Sequence, residues 1–116
     1  MKIKTSELTG AALDWAVAKC EGVLEDEEAY YINEYTGALM LDRGDDSVAY
    51  CPSKLWDHGG PIIEREKLCI TATPSAHWDA RTTDYPPTYH SGPTPLIAAM
   101  RCYVASKLGE YVDVPF

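Results

Sequence analysis

The stretch TPLIAAMRCYVASKL, residues 94–108, decides how this chain of 116 residues folds. Thr94 is a good N-cap residue, Pro95 suits the first helical position and Gly109 is a typical helix stop, so the sequence predicts a helix over the whole stretch. Three side chains interrupt its apolar surface, namely Arg101, Ser106 and Lys107. Because a helix that is apolar on nearly all sides is normally buried, we expect it at the centre of the fold.

A second helix is predicted over residues 9–20. Thr9, or alternatively Ser6, can cap it, and Gly22 provides a left-handed stop. Apolar residues recur at steps of three and four: Ala12, Leu13, Ala16, Val17 and Cys20. The alanines leave a thin surface that another helix or a sheet can approach closely.

The other segments predict a short helix, strands and a loop. Pro61 after two glycines, with acidic residues soon after, predicts a short helix near 61–66. Alternation and turn signals predict strands at residues 1–5, 68–72, 76–81 and 111–116, and a hairpin or meander over 29–50. Residues 82–92 contain two consecutive prolines and predict an irregular loop. We expect one α+β domain, residues 1–116, whose helices pack with a small antiparallel sheet.

Composition narrows the possible partners and the cellular location. A net charge of −8 repels the phosphates of nucleic acids and anionic lipids, so neither nucleic acid nor membrane is an expected partner. No apolar run approaches the roughly 20 residues of a membrane span, and the N-terminus lacks the apolar core of a secretory signal. The sequence therefore predicts a cytosolic protein.

The cysteines and histidines predict no metal centre and no cofactor. Four cysteines are scattered without the paired spacing that zinc requires, and the three histidines are isolated. Free thiols are expected.

Three blocks of sequence resemble one family. They are KTSELTGAALDWAVAKCEG (4–22), WDHGGPIIERE (56–66) together with Trp78, and GPTPLIAAMRCYVASKLGEYVDVP (92–115). They are similar to the NinX-like proteins, short products of tailed-phage and prophage accessory regions. Residues 23–55 and 79–91 do not share the likeness strongly. The resemblance implies a phage-encoded accessory protein in the host cytosol, and it implies no chemistry.

A candidate ligand site combines residues from these blocks. The glycines of His58-Gly59-Gly60-Pro61 permit unusual backbone, and amides at a helix start attract anions, although a simple chain-reversing turn is the alternative. Arg101 could hold a phosphate or carboxylate in a pocket, or pair with an acidic residue, or lie exposed. Trp56 and Trp78 could stack on a flat ligand or anchor a protein interface, whereas Trp15 is expected in the core. We expect these groups to converge on one pocket for a small anionic, nucleotide-like metabolite.

Two other functions remain open. An acidic surface could engage a basic host protein as an inhibitor; its residues are Asp26, Glu27, Glu28, Asp45 and Asp46. A cysteine–histidine enzyme would need the thiol of Cys51 or Cys69 to lie beside the imidazole of His58 or His77. The chain has no serine-hydrolase signature. The preferred function is non-enzymatic ligand binding. A homodimer is plausible for so short a chain with so apolar a helix.

Overall fold

The computed structural model describes residues 1–24 and 30–116. In chain order the elements are β1 (Lys2–Lys4), a 3-10 turn (Thr5–Glu7), α1 (Gly10–Glu21), β2 (Tyr30–Ile32), β3 (Leu39–Asp42), β4 (Ser47–Ala49), α2 (Trp56–Glu66), β5 (Cys69–Ala72), β6 (Trp78–Arg81), β7 (Tyr89–Gly92), α3 (Pro95–Leu108) and β8 (Tyr111–Asp113). The fold is α+β, as the sequence predicts.

The strands form three small antiparallel sheets, where a single sheet was expected. β1 pairs with β8, β2–β3–β4 form a meander, and β5–β6–β7 form a second meander. The prediction of an irregular loop over residues 82–92 is wrong at its end, because β7 pairs there with β6 and sets Ala80 opposite His90. The backbone groups of β7 hydrogen-bond to β6 instead of to water. Such pairing between distant segments cannot be deduced from the local sequence.

Helix α3 lies at the centre of the fold, as predicted. Its inner residues are fully buried: Ala98, Ala99, Met100, Cys102 and Val104. It contacts the β5–β6–β7 sheet, α1 and α2. Thr94 caps it, since its Oγ1 accepts a hydrogen bond from the Ile97 amide at 3.1 Å. Across the residues that the structure describes, no helix has the length and apolar character needed to cross a membrane.

Helix α1 packs its apolar side against α3. Leu13, Ala16 and Val17 are fully buried, and Trp15 is 7% exposed, so the predicted core position of Trp15 is confirmed. Gly22 adopts the left-handed conformation that ends the helix. Thr9 stands at the N-cap, but its side chain makes no capping hydrogen bond.

Helix α2 begins five residues before the predicted start. The sequence predicted a helix from Pro61 and a turn or loop at His58–Pro61, whereas the helix runs from Trp56 and contains these residues in its interior. The reason is tertiary: Gly59 is buried where α2 crosses Pro52 and Leu96, and a Cβ there would lie 2.5 Å from the Pro52 carbonyl oxygen and 2.7 Å from Leu96 Cδ2. The glycine permits close helix packing.

Candidate ligand-binding groove

His58 is held in place by the segment that precedes α2. Its Nδ1 accepts a hydrogen bond from the Cys51 amide at 3.0 Å, so the neutral ring carries its proton on Nε2. The ring also stacks on Tyr50, with centroids 5.8 Å apart and an interplanar angle of 18°. These contacts fasten the 50–53 segment onto α2, and they give His58 a structural role.

The same hydrogen bond shows which group of Cys51 contacts His58. The backbone amide of Cys51, and not its thiol, is the group that bonds the imidazole. Burial raises the pKa of the Cys51 thiol, with the Asp14 carboxylate adding to the effect. A thiol of raised pKa is a poor nucleophile near neutral pH, so this pair does not have the form of a cysteine–histidine catalytic dyad.

The Arg101 guanidinium donates its hydrogen bonds to backbone carbonyls. Its Nε donates to the Leu8 carbonyl at 2.9 Å and its Nη1 donates to the Ser91 carbonyl at 3.0 Å. Burial lowers the pKa of its guanidinium. Arg101 therefore ties α3 to the turn before α1 and to β7, an arrangement that differs from both the pocket and the acidic pairing considered for it.

Trp78 and Trp56 have different surroundings. Trp78 begins β6, pairs in register with Ala72 and Gly92, and packs against the core. Trp56 begins α2 and is 53% exposed. A Cβ on Gly60 would lie 4.0 Å from Trp56 Cε3, so the indole lies beside the bare backbone of the next turn. Of the two tryptophans, Trp56 offers a ring face to a ligand.

Trp56 lines a groove between the starts of α2 and α3. The groove has a volume of about 330 Å³ and is lined by Ser53, Lys54, Trp56, Thr94, Pro95, Leu96 and Ile97. Its apolar lining comes from Trp56 and the first turn of α3, and Ser53, Lys54 and Thr94 are its polar lining residues. A volume of this size is at the lower end of small-molecule sites.

Ser53 connects the wall of this groove to Asp14. The residue is 3% exposed, and its amide donates to Asp14 Oδ1 at 2.8 Å. Its hydroxyl is buried beside the same carboxyl, where it favours the charged form of Asp14. Ser53 therefore supports the groove from inside the fold.

The start of α2 adds favourable electrostatics to the groove. Leu55 occupies the N-cap position and supplies no side-chain cap, and its carbonyl accepts hydrogen bonds from the His58 and Gly59 amides at 3.0 and 2.9 Å. In the described part of the chain, the Trp56 and Asp57 amides are therefore the ones left without an intrahelical acceptor. Such amides and the helix dipole favour an anion, and Lys54 immediately before them has the matching charge. Asp57, in the same first turn, is not among the lining residues.

A second polar cluster joins the other ends of the helices. Arg65 donates from Nη1 and Nη2 to the two carboxylate oxygens of Glu21, at 2.9 and 2.6 Å, and Tyr103 Oη donates to Glu21 at 2.5 Å. The bonds from Arg65, and then that from Tyr103, hold the pKa of Glu21 below its ordinary value despite burial. This cluster binds α1, α2 and α3 together, and its polar groups satisfy one another.

Sequence reasoning missed Ser53, Lys54 and Asp14. One signal was present: Asp14 is a carboxyl on the apolar side of the predicted first helix, and such a residue needs a buried partner. Nothing local identifies Ser53 as that partner, since the two are 39 residues apart. Within the described part of the chain, no group of three or more His, Cys, Asp or Glu side chains is arranged to hold a metal ion.

The fold is a small α+β domain built around a central apolar helix. A family model described as Bacteriophage P22, NinX matches residues 4–107. The match covers most of the chain, so the protein belongs to the NinX family, as its sequence resemblance indicated. Comparison with curated protein sequences gives no match.

Proposed function

We propose that this NinX-family protein is a non-enzymatic accessory protein that binds a small anionic ligand with a flat ring, of the mononucleotide class, in the host cytosol. The binding site is the groove between the starts of α2 and α3. The single observation that carries the proposal is a groove that brings together the Lys54 side chain, the uncapped start of α2 and the half-exposed Trp56 indole.

The anionic part of the ligand binds at the start of α2. There the Lys54 ammonium and the Trp56 and Asp57 amides can contribute to binding one phosphate or carboxylate. These donors belong to one continuous segment, residues 54–57. They are therefore held together by the fold before a ligand arrives, which lowers the entropy cost of binding.

The flat part of the ligand stacks on Trp56. The indole is half exposed, and it stands opposite the apolar first turn of α3, where Pro95, Leu96 and Ile97 line the groove. Stacking of a base on an aromatic side chain contributes about 1–3 kcal/mol in proteins that bind single-stranded nucleic acids. Of the residues considered from sequence, Trp56 belongs to this site, Gly59 and Gly60 support it, and Arg101 and Trp78 have other contacts.

Calorimetry with three probes tests the proposal: adenosine monophosphate, adenosine and inorganic phosphate. We expect the monophosphate to bind most tightly, because it alone engages both the donors and the indole. Lys54→Met should weaken its binding about tenfold, as should Trp56→Ala. The matched control is Lys4→Met, which removes an exposed lysine from β1, outside the groove.

Ser53→Ala separates a role in folding from a role in binding. The Ser53 hydroxyl is buried beside Asp14, so the variant should lower the free energy of unfolding by about 1 kcal/mol and leave the affinity for the monophosphate unchanged. If no probe binds at about millimolar concentration, or if Lys54→Met and Lys4→Met bind alike, the proposed function is wrong.

A second candidate function, binding of a basic host protein by an acidic surface, has one observation in its favour. Asp45 and Asp46 are exposed at the turn between β3 and β4. The other members of the predicted surface, Asp26, Glu27 and Glu28, lie outside the described residues. For an enzyme, the third class, the Cys51–His58 contact supplies no activated group, so no reaction is proposed.

A further inference from the structure

The β2–β3–β4 meander ends in an open edge. β2 is its outer strand, and among the described residues no strand pairs with the far side of β2. The Asn33 amide donates to the Ala38 carbonyl at 2.9 Å, and the Tyr50 amide donates to the Leu39 carbonyl at 2.8 Å. Because bonded and non-bonded pairs alternate in an antiparallel ladder, the backbone groups of Tyr30 and Ile32 point away from β3. No described strand takes them, so this edge has the form that accepts an additional strand.

A hollow lies beside this edge. It has a volume of about 310 Å³ and is lined by Tyr31, Ile32, Asn33, Glu34 and Tyr35. Tyr35 is 90% exposed and Tyr31 is 45% exposed, so aromatic surface is open to solvent where a strand would be added. The Asn33 side chain shapes the hollow, since its Oδ1 accepts hydrogen bonds from the Tyr35 and Thr36 amides at 2.8 and 3.1 Å.

The charge of the meander defines the chemistry of a suitable partner. Residues 30–50 contain four carboxylates, Glu34, Asp42, Asp45 and Asp46, against one cation, Arg43. These carboxylates are all exposed. Two aromatic rings beside a carboxylate form an environment that suits a lysine or arginine side chain, through cation–π attraction and charge.

We infer that the free edge of β2 docks an extended basic segment of a partner protein as an additional strand, with one lysine or arginine of that segment in the hollow. The backbone of Tyr30 and Ile32 provides the hydrogen bonds, and Glu34 with Tyr31 and Tyr35 provides the selectivity. A second copy of this chain is a poorer occupant, because each copy would bring the same acidic meander to the contact.

A designed peptide tests this inference. The probe is a fluorescein-labelled peptide of about eight residues in which lysine alternates with threonine and valine, a length typical of one strand. Fluorescence anisotropy at about 0.15 M salt measures its binding. Two further peptides carry glutamate in place of lysine, or keep the lysines and replace the alternate residues with proline, which cannot pair as a strand. We expect both to bind at least about tenfold more weakly.

Paired variants locate the site. Glu34→Lys with Tyr35→Ala should weaken the lysine peptide about tenfold, whereas Glu64→Lys with Tyr85→Ala, a matched exposed pair elsewhere, should not change it. Amide shifts in a nitrogen-15 spectrum should concentrate at Tyr30 and Ile32. All four altered side chains are exposed, so folding should be retained.

Three outcomes would overturn the inference. Equal binding of the proline peptide would show attraction by charge without strand addition. Equal loss in both variant pairs would place the peptide elsewhere. Sedimentation that reveals self-association, abolished by Glu34→Lys with Tyr35→Ala, would make a second copy the occupant. None of these outcomes bears on the ligand groove, which uses other residues.

Discussion

The Ser53 amide donates a 2.8 Å hydrogen bond to Oδ1 of Asp14, a carboxyl that is 1% exposed within α1. This contact connects the buried side of the first helix to the segment that carries the groove. Burial raises the pKa of Asp14 from 3.8 to about 6, and the Ser53 amide and the neighbouring Ser53 hydroxyl oppose that rise only in part. Asp14 therefore influences both folding and the groove.

Asp14 should make folding stability depend on pH. A carboxyl whose pKa is raised by folding binds more protons in the native state, so its contribution is full below its unfolded value of 3.8 and falls as the pH rises to about 6. Asp14→Asn keeps an acceptor for the Ser53 amide and removes the titration. Relative to this variant, the wild-type free energy of unfolding should decrease by about 2 kcal/mol between pH 4 and 6. Urea denaturation across that range measures it, and parallel pH profiles would contradict the prediction.

Gly59 and Gly60 should respond differently to alanine. A Cβ on Gly59 would meet the Pro52 carbonyl and Leu96, so Gly59→Ala should lower the free energy of unfolding by about 1–3 kcal/mol. A Cβ on Gly60 would meet no such obstacle, since the nearest atom outside its chain neighbours is 4.0 Å away. The helix preference for alanine is offset there by Pro61, whose ring disfavours a helical residue with a Cβ before it, so Gly60→Ala should change the free energy of unfolding by less than about 1 kcal/mol. Chemical denaturation compares them, and equal destabilisation would contradict the packing described for α2.

Glu21 should stabilise the fold more than Glu66 does. Both carboxylates bind Arg65, but Glu21 also accepts from Tyr103 and is less exposed. Glu21→Gln should lower the free energy of unfolding by about 1–3 kcal/mol, and Glu66→Gln by less than about 1 kcal/mol. Because its pKa is lowered, the Glu21 contribution should be present above its unfolded value of 4.5 and disappear as the pH falls. Denaturation of both variants at pH 7 and in acid measures this, and equal effects would be the contrary result.

Arg101 should matter for stability and not for the groove. Lysine keeps the charge but cannot supply the two guanidinium donors to Leu8 and Ser91 in the same geometry. Arg101→Lys should therefore lower the free energy of unfolding by about 1–2 kcal/mol, while monophosphate affinity stays unchanged. Arg81→Lys, on the exposed side of β6, is the control and should change neither quantity. If folded Arg101→Lys binds the monophosphate more weakly than the wild type, Arg101 is part of the ligand site and this prediction is wrong.

Local sequence signals located the first and last helices well. Thr94, Pro95 and Gly109 mark the ends of α3 through their own backbone preferences, and Gly22 ends α1 in the same way. The apolar character of α3 correctly predicted its central position. The meander and the two terminal strands also lie on alternating segments of the chain, whereas the pairing of β1 with β8 is a finding of the structure.

The candidate site was predicted less well. Its residues were chosen for the chemistry of their side chains, and the sequence does not show which backbone groups those side chains contact. Arg101 was a plausible anion ligand until the structure placed the Leu8 and Ser91 carbonyls against it. His58 is similarly engaged by the Cys51 amide. Trp56 lies at a solvent-facing groove. Its neighbours there, Ser53 and Lys54, belong to no sequence motif that would have marked them as site residues.

The amino-acid order alone established the family, the acidic character, and the helices whose caps and apolar spacing are local properties of the chain. The packing of the whole fold decided that a Gly-Gly-Pro sequence continues a helix, that Arg101 bonds backbone, and that Ser53 meets Asp14. These three depend on contacts between residues that are distant along the chain. Burial gives such contacts their energy, because it removes the water that would otherwise satisfy each polar group or fill each gap.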